Sequence, residues 1–332
     1  MIDLPPLRYL TAADVTAAMP SLPERLLLAE ETLRGLAGAA ELPPKIGVHP
    51  RGSGAFAHAM PAFLPGTAPD GGDDRLGMKW VLGMPANNAR GLPGIHGLVV
   101  LSDPRTGVPV AILDAGPITA QRTAAVSGVA IARFMPAVAG RLVRAGLIGA
   151  GVQGHSHVPV LGNLLPGVQL RVHDRDEERA RSLVTAAAMV PGIGRVEVAA
   201  TARDAVRDAD LVLTAASFAP ASDGQVLGPD WLASDALVIP VDYATYVSAA
   251  VALEASLFLT DHRDQFLANR EAGNFDGYPE PHAMLGEVLD GVPRPAGRVL
   301  VSHLGTGLAD VVFGTAILAA AAARELGVVL PR

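Results

Sequence analysis

The sequence predicts an α/β protein in which a doubly wound, parallel-sheet module is inserted between two pieces of an α+β module. Three observations carry this. The stretch Leu147-Ile148-Gly149-Ala150-Gly151-Val152-Gln153-Gly154 has the spacing G-x-G-x-x-G, directly after an apolar run (Leu142, Val143, Ala145, Leu147, Ile148) and before a helix-compatible segment over residues 152–165. From residue 141 to 301, apolar strand-like runs alternate with helical ones, as a doubly wound sheet requires. Short strands and turns precede this region over residues 45–114, and an alanine-rich helix follows it over residues 305–326, nearly apolar from Val311 to Ala323. The expected division is one domain of residues 1–125 with 303–332 and a second of residues 126–302.

The elements follow in order. Thr11-Ala12-Ala13-Asp14 and Ser21-Leu22-Pro23-Glu24 have capping-box form. The second opens a helix with Leu26, Ala29, Leu33 and Leu36 on one face, and Pro43-Pro44 prevents any continuation. Strands are expected over residues 45–49, 55–60, 77–82, 96–101 and 108–114, with a polar loop at 66–74. Ser102-Asp103-Pro104-Arg105-Thr106-Gly107 is a turn joining the last two. These make an antiparallel sheet. A helix over residues 118–135 carries Thr119 and Arg122 in its first turns and is closed by Pro136. In the inserted module, strands fall at 168–174, 195–199, 210–214, 236–241 and 257–260, and helices at 176–190 and after Thr201. The last helix is long and apolar enough to pack, buried, against the first module.

Composition sets limits. At 332 residues the chain fits two domains of about 150 residues each. Half of the residues are hydrophobic, which supplies a large core, and the net charge of −7 with no basic cluster argues against a nucleic-acid partner. There is no cysteine, hence no disulfide, thiolate metal site or cysteine nucleophile. His96, His155, His157, His173, His262, His282 and His303 form no metal-ligand spacing, and His155 and His157, two apart on a helix, do not share a face. No metal is expected. No membrane span is expected either. The start, Met1-Ile2-Asp3-Leu4-Pro5-Pro6, lacks the basic and apolar regions of a signal peptide. A cytoplasmic protein is the expectation.

The glycine stretch has a specific chemistry. Gly149 permits a tight turn, Gly151 lets the backbone approach a pyrophosphate, and Gly154 lets the helix pack close to the sheet. The first helical N–H groups, from Val152 and Gln153 onward, and the helix dipole then face the phosphates. Asp174 ends the next strand, twenty residues past Gly154, where a carboxylate binds the adenosine ribose hydroxyls. It favours NAD over NADP by repelling a 2′-phosphate, although Arg175 stands beside it. Ligands of such sheets lie at the carboxyl ends of the strands, which adds Thr214, Ser217 and Asp242 to the same edge. Residues 302–306 are expected near the nicotinamide.

A dinucleotide enzyme also needs a place for the second reactant. The cations of the first module are informative. Lys79 sits inside an apolar strand, Gly77-Met78-Lys79-Trp80-Val81-Leu82, Arg122 begins a helix, and Lys45 follows Pro43-Pro44. Charges in apolar settings are paired or functional. Three such cations can clamp a carboxylate, with Arg122 the bidentate partner. Ion pairs with acids such as Asp114 are the plainer alternative, and the better one for Lys45 taken alone.

Taken together, Met60-Pro61-Ala62, Gly77-Met78-Lys79, Asn87, Leu101-Ser102-Asp103 with Thr106-Gly107, and Ile118-Thr119-Ala120-Gln121-Arg122-Thr123-Ala124-Ala125 resemble the ornithine cyclodeaminase/mu-crystallin family. Gly149-Ala150-Gly151-Val152-Gln153-Gly154 and Leu304-Gly305-Thr306-Gly307 with Asp310 extend the resemblance over most of the chain. It implies a homodimer whose first module, with the last helix, binds substrate and dimerises. It also implies a tightly held nicotinamide cofactor, with Gly305 counted among the residues around it. Lys45, Lys79 and Arg122 would hold the substrate carboxylate. Two departures stand out. Where cyclodeaminases carry a glutamate for the distal amine, this chain has His58-Ala59-Met60-Pro61. The family's acid/base aspartate sits in a Glu-Leu-Asp stretch; here Val241-Asp242-Tyr243 stands about two positions away.

These residues suit hydride transfer at the α-carbon of a small α-amino or α-imino acid, in the manner of an amino-acid dehydrogenase or ketimine reductase. Lys45, Lys79 and Arg122 anchor the carboxylate; Asp242 manages the amine proton, with His58 and Lys79 as further catalytic candidates. A cyclodeaminase-type lyase with internally recycled NAD is the alternative, and a non-catalytic, crystallin-like ligand binder is another.

Overall fold

Thr11 and Asp14 cap each other reciprocally, side chain to backbone N–H at 3.0 and 3.2 Å, and so begin the first helix. A computed structural model describes residues 4–52, 54–217 and 224–332. Met1, Ile2 and Asp3, with which the reading of the N-terminus begins, lie outside them. The chain packs as two compact units, one of residues 1–122 with 305–332 and one of residues 123–304.

The first unit opens with β1 (Leu7–Leu10), α1 (Ala12–Ala17) and α2 (Leu22–Ala37). Helix α2 buries Ala29, Thr32, Leu33 and Leu36. Strands β2 (Ile46–Val48), β3 (Phe56–Leu64), β4 (Arg75–Gly83), β5 (Ile95–Ser102) and β6 (Pro109–Asp114) follow, paired antiparallel in sequence order. Helix α3 (Ala115–Phe134) starts three residues before the expected point. Pro117 suggests a boundary, but it falls in the first turn, where its missing N–H has no intrahelical partner to lose.

The second unit alternates strand and helix: β7 (Arg144–Ile148), α4 (Val152–Leu164), β8 (Val168–His173), α5 (Glu177–Ala187), β9 (Ile193–Val198), α6 (Ala202–Val206), β10 (Leu211–Thr214), β11 (Leu237–Pro240), α7 (Ala249–Leu253), β12 (Leu257–Thr260), α8 (Arg263–Glu271), β13 (Ala283–Met284) and β14 (Val299–Ser302). The sheet order is β13-β12-β14-β11-β10-β7-β8-β9 and every pairing is parallel. It is the doubly wound sheet that the alternation predicts. Strand β14 is an addition to the expected set. It inserts between β11 and β12, and its apolar run Val299-Leu300-Val301 is too short to signal a strand alone. Four aromatic side chains, Phe258, Phe266, Phe275 and Tyr278, pack in sequence here, with neighbouring ring centroids 4.6–5.4 Å apart.

The chain then returns to the first unit with α9 (Gly307–Ala323) and β15 (Val328–Leu330). Strand β15 pairs antiparallel with β1, which pairs parallel with β6, so the seven-stranded sheet runs β15-β1-β6-β5-β4-β3-β2. The pairing of β1 with β15 joins the two ends of the chain, and no local turn signal can announce it. Helix α9 lies on one face of this sheet. A Cβ at Gly307 would strike the Met60 carbonyl, and Gly314 lies against Val99 and Leu101. On the opposite face, cross-strand pairing lines up Ile46, Ala59, Trp80 and Leu98, with Ile46 59%, Trp80 36% and Leu98 38% exposed. Among the described residues, no helix is long and apolar enough to cross a membrane.

Candidate active site

In the first unit, alternation along β3 and β4 decides which side chains meet. Met60 pairs with Lys79 and His58 with Val81, so His58 and Lys79 point to the face that α9 covers. Lys79 Nζ lies 2.6 Å from Asp310 Oδ2, and Arg122 Nε lies 3.3 Å from Asp310 Oδ1. All three side chains are buried. Two cations thus share one carboxylate, and with all three groups ionised the cluster carries one net positive charge. Burial is the largest influence on Lys79, pushing its ammonium down to about 7, and Asp310 opposes that shift. Gly305, with φ +73°, packs so closely on Arg122 that any side chain would overlap the guanidinium.

Lys45, just before β2, is half-buried, and its charge acts on both His58 and Lys79. The three expected cations therefore share one region of the first unit. His58 stacks on Phe56 with centroids 4.6 Å apart. Burial, followed by the charges of Lys45, His49 and Lys79, lowers it to about 4, so its ring is neutral at neutral pH. The acid partner of the buried cations is Asp310, not Asp114. In the sequence Asp310 marks only the family resemblance and carries no assigned role. A signal for its role is present there all the same: a lone acid in an apolar helix and two lone cations in apolar settings each lack a counter-charge until they are matched.

In the second unit, register aligns the carboxyl ends of the central strands. Ile148 is level with His173 and Thr214, and Thr214 with Pro240. The fingerprint turn follows β7. A Cβ at Gly149 (φ +103°) would strike the Ala215 carbonyl, and one at Gly154 would strike the Gly149 carbonyl. Gly151 differs, because a Cβ there would meet nothing within 4 Å. Two glycines are thus required by the chain's own packing, and the one expected to face a pyrophosphate borders open space. Val152, the first residue of α4, is 71% exposed beside it. Gln153 stands in the same helical turn. Asp174 accepts the Ala150 N–H at 2.7 Å and the Asp176 N–H at 2.9 Å, which ties the second strand's acid to the fingerprint turn. Arg175 and Ser217 are exposed.

Asp242 follows β11 and is buried. Its Oδ1 accepts the Thr214 hydroxyl at 2.7 Å and its Oδ2 the Ala216 N–H at 2.9 Å. Burial outweighs these hydrogen bonds and pushes the carboxyl up to about 7. Thr214, expected from its position to touch the cofactor, donates its hydroxyl to Asp242 and so orients that carboxyl.

A parallel sheet with a G-x-G-x-x-G turn at its carboxyl edge in the second unit, and a buried cation cluster in the first, define a two-unit α/β protein. The chain belongs to the ornithine cyclodeaminase/mu-crystallin family, whose pattern it matches over residues 9–319. It is similar to the nodulation efficiency protein NfeD of Rhizobium meliloti, 34% identical over 333 residues that cover 98% of both chains. It is also similar to the NAD(P)H-dependent anabolic L-arginine dehydrogenase DauB of Pseudomonas aeruginosa, 30% identical over 239 residues, 68% of this chain and 72% of that protein. Among solved structures it resembles a lysine cyclodeaminase described with L-lysine, L-ornithine and L-2,4-diaminobutyric acid. That likeness has a TM-score of 0.80 at 26% identity and covers 98% of this chain and 96% of the other.

Proposed function

We propose that the protein is an NAD-dependent enzyme that transfers hydride at the α-carbon of a small α-amino or α-imino acid. The observation that carries this is the shared carboxylate of Asp310, which leaves the buried Lys79–Arg122 pair one positive charge in excess. A substrate carboxylate would neutralise that excess. Lys45 adds to the attraction. NAD would be held by Gly149, Gly151, Val152, Gln153 and Gly154 at the pyrophosphate and by Asp174 at the adenosine ribose, with Arg175, Ser217 and Gly305 as further neighbours. The space beside Gly151 fits that group. When bound, the nicotinamide accepts or gives the hydride. Positioning the carboxylate fixes the α-carbon, and that can lower the barrier by several kcal/mol.

Two groups manage protons. Asp242 and Lys79 are both brought to about 7, where a side chain can hold or release a proton near neutral pH. Asp242 is assigned the amine proton and Lys79 the carboxylate, with a proton of its own to give. His58, neutral near pH 7, is the weaker acid/base candidate and a poor partner for an ammonium group. It stands where a cyclodeaminase would have the glutamate for a distal amine, which favours net dehydrogenation or imine reduction. The likeness to lysine cyclodeaminase supports the second reading, a lyase that oxidises, cyclises with loss of ammonia, and reduces. Two ionisable groups brought to about 7 argue against a non-catalytic, crystallin-like binder.

A homodimer formed through the open sheet face, and a cytoplasmic location, complete the proposal. The face crossing Ile46, Trp80 and Leu98 has an apolar character that a second copy would cover. One experiment separates the chemical readings. The protein is incubated with NAD or NADH and a panel of α-amino and cyclic imino acids while NADH absorbance and ammonia are followed. NADH with ammonia means dehydrogenase, NADH consumed with a cyclic imine means reductase, and ammonia without net NADH means cyclodeaminase. Binding without any turnover would overturn the enzyme reading.

A further inference from the structure

Three buried side chains of the second unit form a hydrogen-bonded chain that the proposed reaction does not use. Ser127, on α3, lies between two imidazoles. Its Oγ is 2.8 Å from His157 Nε2, on α4, and 2.8 Å from His303 Nε2, in the residue after β14. His157 Nδ1 is 2.7 Å from the Gln153 carbonyl oxygen. Ser127 is 0%, His157 1% and His303 2% exposed.

For neutral rings, the donors run in one direction. A carbonyl oxygen only accepts, so His157 carries its proton on Nδ1 and leaves Nε2 as an acceptor. The Ser127 hydroxyl donates there. Its single proton is then used, so its oxygen accepts from His303, which is the Nε2–H tautomer. Burial favours the uncharged ring at His157 and agrees with this assignment. A hydroxyl is the smallest group that can donate to one ring and accept from the other. With no oxygen at position 127, a bare nitrogen and an N–H would face each other across a dry interior.

The chain joins two segments of the carboxyl edge. Gln153 is in the first turn of α4, two residues past Gly151. His303 follows β14, whose Leu300 is level with Val238 on β11, the strand that leads to Asp242. Ligands of doubly wound sheets lie outside this edge. We propose that Ser127 is a positioning residue for NAD. Through His157 it fixes the turn that meets the pyrophosphate, and through His303 it fixes the turn expected beside the nicotinamide. The proposal rests on the NAD reading given above.

The test has two arms. In the first, protein labelled with ¹⁵N-histidine is examined without cofactor by long-range ¹H–¹⁵N correlation. His157 is expected as the Nδ1–H tautomer and His303 as the Nε2–H tautomer. A charged ring or the opposite tautomer at either position overturns the chain. In the second, NADH affinity is measured by fluorescence for the wild type, S127A, H303Q and H303L. Glutamine keeps an N–H where His303 has Nε2. Dissociation constants are expected to rise about tenfold for S127A and H303L, as for one lost buried hydrogen bond, and to stay within about threefold for H303Q. Equal affinity in all four proteins, or H303Q as weak as H303L, overturns the positioning role. Wild-type protein that bound neither NADH nor NADPH would instead remove the cofactor reading, whatever the tautomers.

Discussion

Lys79 Nζ lies 2.6 Å from Asp310 Oδ2, with the two side chains 2% and 0% exposed, so β4 and α9 are fastened by an ion pair sealed from water. Arg122 occupies the other oxygen of the same carboxylate. The three groups are unequal. Without Lys79, Arg122 and Asp310 still balance. Without Asp310, two cations are left in a dry interior. A buried ion pair adds little net stability, but breaking one from a single side is costly.

Asp310→Ala is therefore expected to destabilise the protein by about 3–5 kcal/mol, and Lys79→Met by clearly less. Urea unfolding of both variants measures this. Equal losses, or an Asp310→Ala protein as stable as the wild type, would contradict the shared carboxylate.

The same cluster sets a pH dependence for substrate binding. Lys79 is charged below about 7 and neutral above it. An anionic carboxylate binds best to the charged form, so affinity is expected to be full below pH 7 and to weaken as pH rises through it. The inhibition constant of a simple carboxylate without a titrating amine reads this directly. A constant that is flat from pH 6 to 9 (roughly the span over which a group of this kind changes charge) would count against Lys79 as the anchor.

Asp242 is shifted the other way, but its contribution also weakens as pH rises. Its folded carboxyl is raised from 3.8 to about 7. The native state therefore holds its proton more tightly than the unfolded chain does, and this contribution to stability is complete below about 4 and lost as pH rises through 7. Asp242→Asn keeps the shape and removes the titration. The melting temperature of the wild type should fall relative to the variant between pH 4 and 7, and kcat should drop by about 100-fold if Asp242 manages the amine proton. A variant with wild-type kcat would leave Asp242 only its bonds to Thr214 and Ala216.

Much of this architecture is legible in the amino-acid sequence. The alternation of strand and helix foretells the parallel sheet, and the spacing from Gly149 to Asp174 foretells which strand ends adjoin, because both are written in local periodicity. Pairings between distant residues are not. The β1–β15 contact links Leu7 with Leu330, and Asp310 is 188 positions from the arginine it neutralises. Thr214 shows the limit within a correctly placed edge. Its position follows from the strand pattern, but the bond of its hydroxyl to Asp242 is set by a rotamer that no spacing encodes.

The open sheet face makes a prediction about assembly. Trp80 and Leu98 are cross-strand neighbours there, and each is more than a third exposed. If a second copy covers them, the wild type should run in light scattering at twice the 34.1 kDa chain mass. Trp80→Glu with Leu98→Glu should then shift the mass to that of one chain, since a charge buried in an apolar interface is strongly unfavourable. A monomeric wild type, or a dimer that both glutamates leave intact, would rule out this face.

Cofactor choice turns on Asp174. Its two oxygens already accept the Ala150 and Asp176 N–H groups, so the carboxylate braces the fingerprint turn as well as awaiting a ribose. Alanine at this position removes the brace for either cofactor. For NAD it also removes the acceptor of the ribose hydroxyls, a loss of about 1.5–3 kcal/mol for bonds to a charged group, or tenfold and more in affinity. For NADP it removes a repulsion against the 2′-phosphate, with Arg175 exposed next door to accept that charge. Asp174→Ala should therefore weaken NADH binding at least about tenfold while NADPH binding changes little or improves. Fluorescence titration with both cofactors decides the matter. An equal loss for the two would mean that Asp174 acts only as the brace, and the preference for NAD would need another residue.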